Sequence, residues 1–170
     1  MNVEPTGTIN IEGDRRVLTI TREFRAPIED VWAAVTESER LSRWIGTFSG
    51  DPASGRVGFV MTAEGATEPE DMEIRECVPP RVLRLTSHVG EEQWHLDLLL
   101  EENDGVTVLT FEQPDIDPTA AESVGPGWEF YLDRLVAAET GGDVDAIDFE
   151  RDYYPAMLEH YRDQARPGQP

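Results

Sequence analysis

Lysine is absent from this sequence: all fourteen basic residues are arginine, set against 35 aspartates and glutamates, for a formal net charge of −21. Such a chain has no basic footprint with which to displace counterions from phosphates. Nucleic acid is therefore excluded as an expected partner, and an anionic membrane surface is excluded for the same reason. Cysteine is almost as scarce, and a lone Cys77 rules out an internal disulfide or a multi-cysteine zinc site. The three histidines, His88, His95 and His160, stand in neither an HExxH nor a helical HxxxH arrangement, so no metal site is expected. No apolar run approaches the roughly 20 residues that span a bilayer. The first residues lack the basic-then-apolar order of a signal peptide, so a cytoplasmic location is expected. No serine sits in a G-x-S-x-G elbow, and the loop Gly50–Gly55 lacks the Lys-Ser/Thr of a phosphate-binding loop. No dinucleotide fingerprint occurs either. Neither a catalytic residue nor a cofactor is predicted on these grounds.

What is present is an ordinary globular composition: 170 residues, 19.1 kDa, 39% apolar and 29% charged. A chain of this mass buries about 70% of its unfolded surface, enough for a core without staples. The acidic excess is concentrated in the second half, which holds only Arg134, Arg151, Arg162 and Arg166 as bases. A solvated acidic surface is the plain reading of that excess.

Residues 1–14 lack periodicity and read as a loose leader. Residues 17–24 then alternate, with Leu18, Ile20 and Phe24 on one face and Arg22 among them. A helix follows, opened by Pro27 with Glu29 and Asp30 in its first turn, and striped by Ile28, Val31, Trp32 and Val35. Thr36-Glu37-Ser38-Glu39 has the form of a capping box for a second short helix carrying Leu41, Trp44 and Ile45. Six strand signals come next: 46–49, 56–63, 71–77, 81–87, 92–101 and 105–112. Pro79-Pro80 breaks the chain between two of them and Asn103-Asp104-Gly105 forms a tight turn. On the last strand either Val106, Val108 and Thr110 or Leu109 and Phe111 face the core. Short connections between successive strands predict an antiparallel meander, seven strands in all.

The final third is helical. Asp117-Pro118 suits a helix start, Gly125-Pro126-Gly127 a kink or interruption, and Gly141-Gly142 a stop. Between them Trp128, Tyr131, Leu132, Leu135 and Val136 form an apolar stripe. Residues 143–152 read as an acidic linker and 155–166 as a last short helix.

An antiparallel sheet with one apolar face needs a cover, and a long C-terminal helix supplies it. This α+β order resembles the helix-grip fold of the START-like, or SRPBCC, superfamily. Ala26-Pro27 followed by Val31-Trp32, Thr36 and Trp44 resembles the AP-x-x-x-VW-x-x-x-T start of bacterial relatives of the activator of heat-shock protein 90 ATPase. Glu76-Cys77-Val78-Pro79-Pro80-Arg81-Val82-Leu83 resembles that family's E-x-x-P-P-x-x-L, and Gly127-Trp128 with Leu132 and Leu135 its GW-x-x-x-L-x-x-L. The resemblance covers about residues 17–140. It implies a helix-grip domain over 15–140; beyond it, 141–170 read from the residues as an acidic linker and a short helix packed on or near the domain. The resemblance also implies a cavity between sheet and long helix suited to a small apolar or amphipathic molecule. The Tyr153-Tyr154 tail departs from the family's pattern, and its expected place is over one mouth of that cavity.

The expected cavity residues are Arg22, Phe24, Phe59, Met61, Trp94, Leu96, Trp128, Tyr131 and Leu135. Arg22 on an apolar face needs a partner: an acid of the protein, or an anionic group of a ligand. Cys77 reads as a buried structural thiol. Ligand binding is the expected function. Two alternatives stand beside it: a cyclase- or lyase-like enzyme with Glu76 or His95 as proton carrier, and a chaperone-associated interaction protein.

Overall fold

The computed structural model describes residues 3–166. Its strands are β1 (Thr8–Glu12), β2 (Arg15–Phe24), β3 (Thr47–Ser49), β4 (Arg56–Val60), β5 (Glu70–Val78), β6 (Val82–Val89), β7 (Glu92–Asn103) and β8 (Val106–Gln113). Its helices are α1 (Ile28–Thr36), α2 (Ser38–Leu41), α3 (Ala121–Thr140), α4 (Phe149–Asp152) and α5 (Leu158–Ala165). One open antiparallel sheet runs β1-β2-β8-β7-β6-β5-β4-β3, so the first long strand closes against the last. This is the helix-grip α+β architecture, with one strand more than expected.

The extra strand, β1, lies within the expected leader. Gly13 turns the chain at positive φ, and Thr8–Glu12 then pair antiparallel with β2 while Ile9 enters the core. A five-residue strand with a single buried side chain carries almost no alternation signal. Residues 1, 2 and 167–170 of the expected leader and tail lie outside the described residues.

Inward side chains form rows across the sheet. Ile20, Phe111, Leu98 and Leu83 are register partners in turn, and so are Leu96, Leu85 and Ile74. On β8 it is Leu109 and Phe111 that face the core. The turn from β7 to β8 is made by Asp104 and Gly105, both at positive φ, where glycine costs nothing and aspartate is tolerated.

Local expectations fail at two helix starts and at one point inside a helix. Thr36 does not cap α2: its hydroxyl donates to the Trp32 carbonyl, no side chain caps the helix, and the Ser38 hydroxyl instead bonds the backbone of Phe48 and ties α2 to β3. Asp117 anchors a turn through Thr119, and the helix proper starts at Ala121. Across Gly125-Pro126-Gly127 α3 continues unbroken, because Pro126 stands near its N-terminal end and removes only one hydrogen bond.

A polar clamp holds α3. Arg22 donates to Asp133 and to Glu129, each at 2.9 Å, and to Thr6 at 2.8 Å. Glu129 is 1% exposed and also accepts from the Thr6 N–H, the Thr6 hydroxyl and the Tyr161 hydroxyl, each at 2.6 Å. Tyr153 donates to Asp133 at 2.6 Å. Burial pushes the Glu129 carboxyl up, but the bonds from Thr6, Tyr161 and Arg22 outweigh it and hold the group below its ordinary range. Burial, with Glu129 beside it, pushes the Tyr161 hydroxyl far up, so it stays a donor. The clamp thus joins the N-terminal segment, β2, α3 and the C-terminal residues. The tail packs on α3 and β1, with Tyr153, Met157 and Tyr161 fully buried.

Close approach of α5 to α3 depends on Gly125. A Cβ there would collide with the ring of Tyr161, whereas one on Gly127 would meet nothing within 4 Å. Gly125→Ala is expected to destabilise the protein by about 2 kcal/mol through overpacking. Gly127→Ala is expected to stabilise it by about 0.5–1 kcal/mol through helix propensity. Urea denaturation followed by circular dichroism measures both; equal effects at the two positions would contradict this packing.

Candidate functional site

One half of the sheet's inner face is covered directly by α3, and the other half is not. Under β4–β7 a cavity of ≈ 330 Å³ remains, closed on its other sides by α1, α2 and the Trp128–Leu132 turn of α3. Its wall is almost wholly apolar. Val57, Met72, Ile74, Leu83, Leu85 and Leu98 supply the sheet side, and Trp44 and Ile45 the roof. The roof is fixed by polar ties. The Trp44 indole donates to the Ala34 carbonyl at 3.0 Å, Arg134 donates to the Trp44 carbonyl at 2.9 Å, and Arg40 pairs with Asp30 and Glu139. A volume near 300 Å³ is at the small end of ligand pockets.

Of the expected cavity residues, Phe59, Met61, Trp94, Leu96 and Trp128 line this space. Trp128 is oriented by a 2.8 Å hydrogen bond from its indole to Gln113 and by contact with Phe111, ring centroids 4.5 Å apart. Four others do not line it. Arg22 is occupied by Glu129 and Asp133, so its partner is the protein. Phe24 and Leu135 are packed solid in the core, with 3% and 0% exposure. Tyr131 is buried behind the wall and donates its hydroxyl to Glu64, which does line the pocket; it positions that carboxylate. Among the described residues none beyond Leu132 belongs to the lining, and the described part of the tail, to residue 166, braces α3 from behind.

The two proton carriers named for an enzymatic alternative lie on the opposite face of the sheet. A bulge between Ile74 and Glu76 shifts the register of β5 against β6. Beyond it the side-chain phase inverts, so Glu76 turns outward to Arg84 at 2.8 Å and Cys77 turns inward opposite Leu83. His95 is also outward, 3.0 Å from Thr86, beside a group in which Asp97 accepts from Arg75 and Arg84. Cys77 is therefore no buried structural thiol: it is exposed and forms part of the pocket wall. Strict period-two reading cannot see this, because one extra residue exchanges the two faces.

Other polar groups at the pocket are few. Glu64 and Glu70 line it and are solvent-exposed; Thr36 is turned to the Trp32 carbonyl. Ser87 is 6% exposed and lies between Met72 and Trp94. Among the described residues its hydroxyl makes no hydrogen bond, and no three His, Cys, Asp or Glu side chains converge as a metal site.

Comparison with known proteins fits this geometry. The family model described as activator of Hsp90 ATPase homolog 1-like protein matches residues 25–139. The chain belongs to that family. Its match takes in the α1–α2 roof, β3–β8 and nearly all of α3, which are the elements that enclose the pocket. Among solved structures, CalU16 from Micromonospora echinospora is 24% identical, covering 95% of this chain and 92% of its own, with a TM-score of 0.67. A conserved protein of unknown function, EF2215 from Enterococcus faecalis, is 20% identical over 93% and 89% of the two chains, with a TM-score of 0.70. DynU16, from the dynemicin biosynthetic locus, is 20% identical and covers 75% of this chain and 49% of its own, with a TM-score of 0.58. At these identities the likeness establishes the helix-grip fold alone. No curated protein sequence matches the chain. Among the described residues no helix is long and apolar enough to cross a membrane.

The placement of Cys77 is directly testable. The native protein is expected to take up one equivalent of N-ethylmaleimide without denaturant, at a rate within about tenfold of that in urea. A thiol that reacts only after unfolding would place Cys77 in the core instead.

Proposed function

We propose that this protein binds a small, largely apolar molecule in the pocket under β4–β7. The observation that carries the reading is the uneven cover of the sheet: Met72, Ile74, Leu83, Leu85 and Trp94 form an apolar wall facing space. Apolar surface left facing space in a well-packed protein is a site for an apolar guest. A two-ring molecule burying roughly 300 Å² gains about 7–8 kcal/mol before association costs, which corresponds to micromolar affinity or weaker. The aromatic walls Phe59, Trp94 and Trp128 favour a flat body. Binding, without a reaction, is the function proposed. The domain for this role is the whole fold with its tail, since residues 141–166 brace α3 through Tyr153 and Tyr161. The acidic exterior fits a freely dissolved cytoplasmic carrier with no nucleic-acid or membrane partner.

Titration with N-phenylnaphthylamine, an uncharged fluorophore made of a naphthyl and a phenyl group, tests this. Saturable binding of one equivalent is expected. Leu85→Trp, which fills the cavity from its floor, is expected to weaken it at least tenfold while leaving the circular dichroism spectrum unchanged. Absence of saturable binding, or binding indifferent to Leu85→Trp in a folded variant, would contradict the proposal.

A further inference from the structure

We infer that the pocket discriminates by charge: it accepts uncharged apolar molecules and rejects anionic ones of the same shape. The inference rests on the binding reading above and adds the chemical class of the guest. An anionic ligand has two ways to place its charge. Inside, it meets an apolar wall whose one deep polar side chain is Ser87, a neutral hydroxyl 6% exposed and free of partners among the described residues. Among the described residues no arginine lines the cavity. The arginines that tie its roof are already committed, Arg40 to Asp30 and Glu139 and Arg134 to the Trp44 carbonyl, and Arg43, exposed just after α2, faces Glu39. Arg22, the cation on the inner face of β2, is held by Glu129 and Asp133. A buried anion without a counter-charge is strongly disfavoured.

At the mouth the second option fails as well. The exposed lining residues Glu64 and Glu70 carry carboxylates, and Glu64 is held in place by the Tyr131 hydroxyl. A negative head group left at the surface therefore meets like charge. An uncharged guest meets neither obstacle, and a single donor or acceptor on it finds Ser87. This arrangement excludes fatty acids, sulfonates and phosphate esters as guests and admits neutral aromatic or polycyclic compounds.

Two probes with the same aromatic body separate these cases: N-phenylnaphthylamine, which is uncharged, and anilinonaphthalene sulfonate, which is its anionic counterpart. Measurement at 0.5 M sodium chloride screens the long-range field of the acidic chain, because the Debye length is then only several ångströms. The uncharged probe is expected to bind at least tenfold more tightly. In the double variant Glu64→Gln with Glu70→Gln the gap is expected to shrink at least threefold, chiefly through tighter binding of the sulfonate. Equal affinity for the two probes in the native protein would overturn the charge selection and leave the pocket reading standing. A gap unchanged in a folded double variant would also overturn it, since the mouth carboxylates would then play no part. Binding of neither probe would remove the pocket reading and this inference together. Should the double variant fail to fold, the native comparison alone decides.

Discussion

The ion pairs from Arg22 on β2 to Glu129 and Asp133 on α3 set how the long helix is laid across the sheet. Truncating one partner of such a buried pair leaves the other charge unpaired, typically at a cost of about 3–5 kcal/mol, so helix and strand move as one body. Because Arg22 lies near one edge of the inner face, α3 is fastened over β2 rather than over the middle of the sheet. Thr6, Tyr153 and Tyr161 complete the hydrogen bonding of the same carboxylates, which draws both ends of the chain to the back of the helix. The far half of the sheet is then covered by two short helices and a single turn of α3. The cavity is the space those helices leave.

Polar and apolar surfaces are segregated across the sheet. Outward, Arg75, Arg84, Glu76 and Asp97 satisfy one another on a wet face. Inward, the same strands present Ile74, Leu83, Leu85 and Leu96. Among the described residues, charge therefore reaches the cavity only at its rim, through Glu64 and Glu70. Belonging to the activator of Hsp90 ATPase homolog 1-like family accounts for the frame, while the chemistry of the rim and wall belongs to this chain's own residues.

Elements with strong periodicity were legible in the sequence. The alternation of Trp94, Leu96, Leu98 and Leu100, the stripe on α3 and the Asp104-Gly105 turn each report a local constraint, and each is where it was expected. Five wall residues followed from the same phases. Features that depend on partners distant in sequence were not legible. β1 has one buried residue and draws its order from β2 and α5. Arg22 was visible as an oddity on an apolar face, yet nothing local tells that its acids are 107 and 111 residues away. Glu76 and Cys77 exchanged faces because a bulge has no sequence mark here. Phe24, Tyr131 and Leu135 share the phase of the wall but lie where α3 and its neighbours already fill the space.

The most direct test of this account is to map the binding surface by nuclear magnetic resonance, following backbone amide and methyl shifts during titration with N-phenylnaphthylamine. The account predicts that the largest changes fall on Met72, Ile74, Leu83, Leu85 and the neighbours of Trp94 and Trp128, with the α5 residues and the outer-face group around Asp97 undisturbed. Changes centred on the outer face or on α5, with the inner wall of β5–β7 silent, would contradict it.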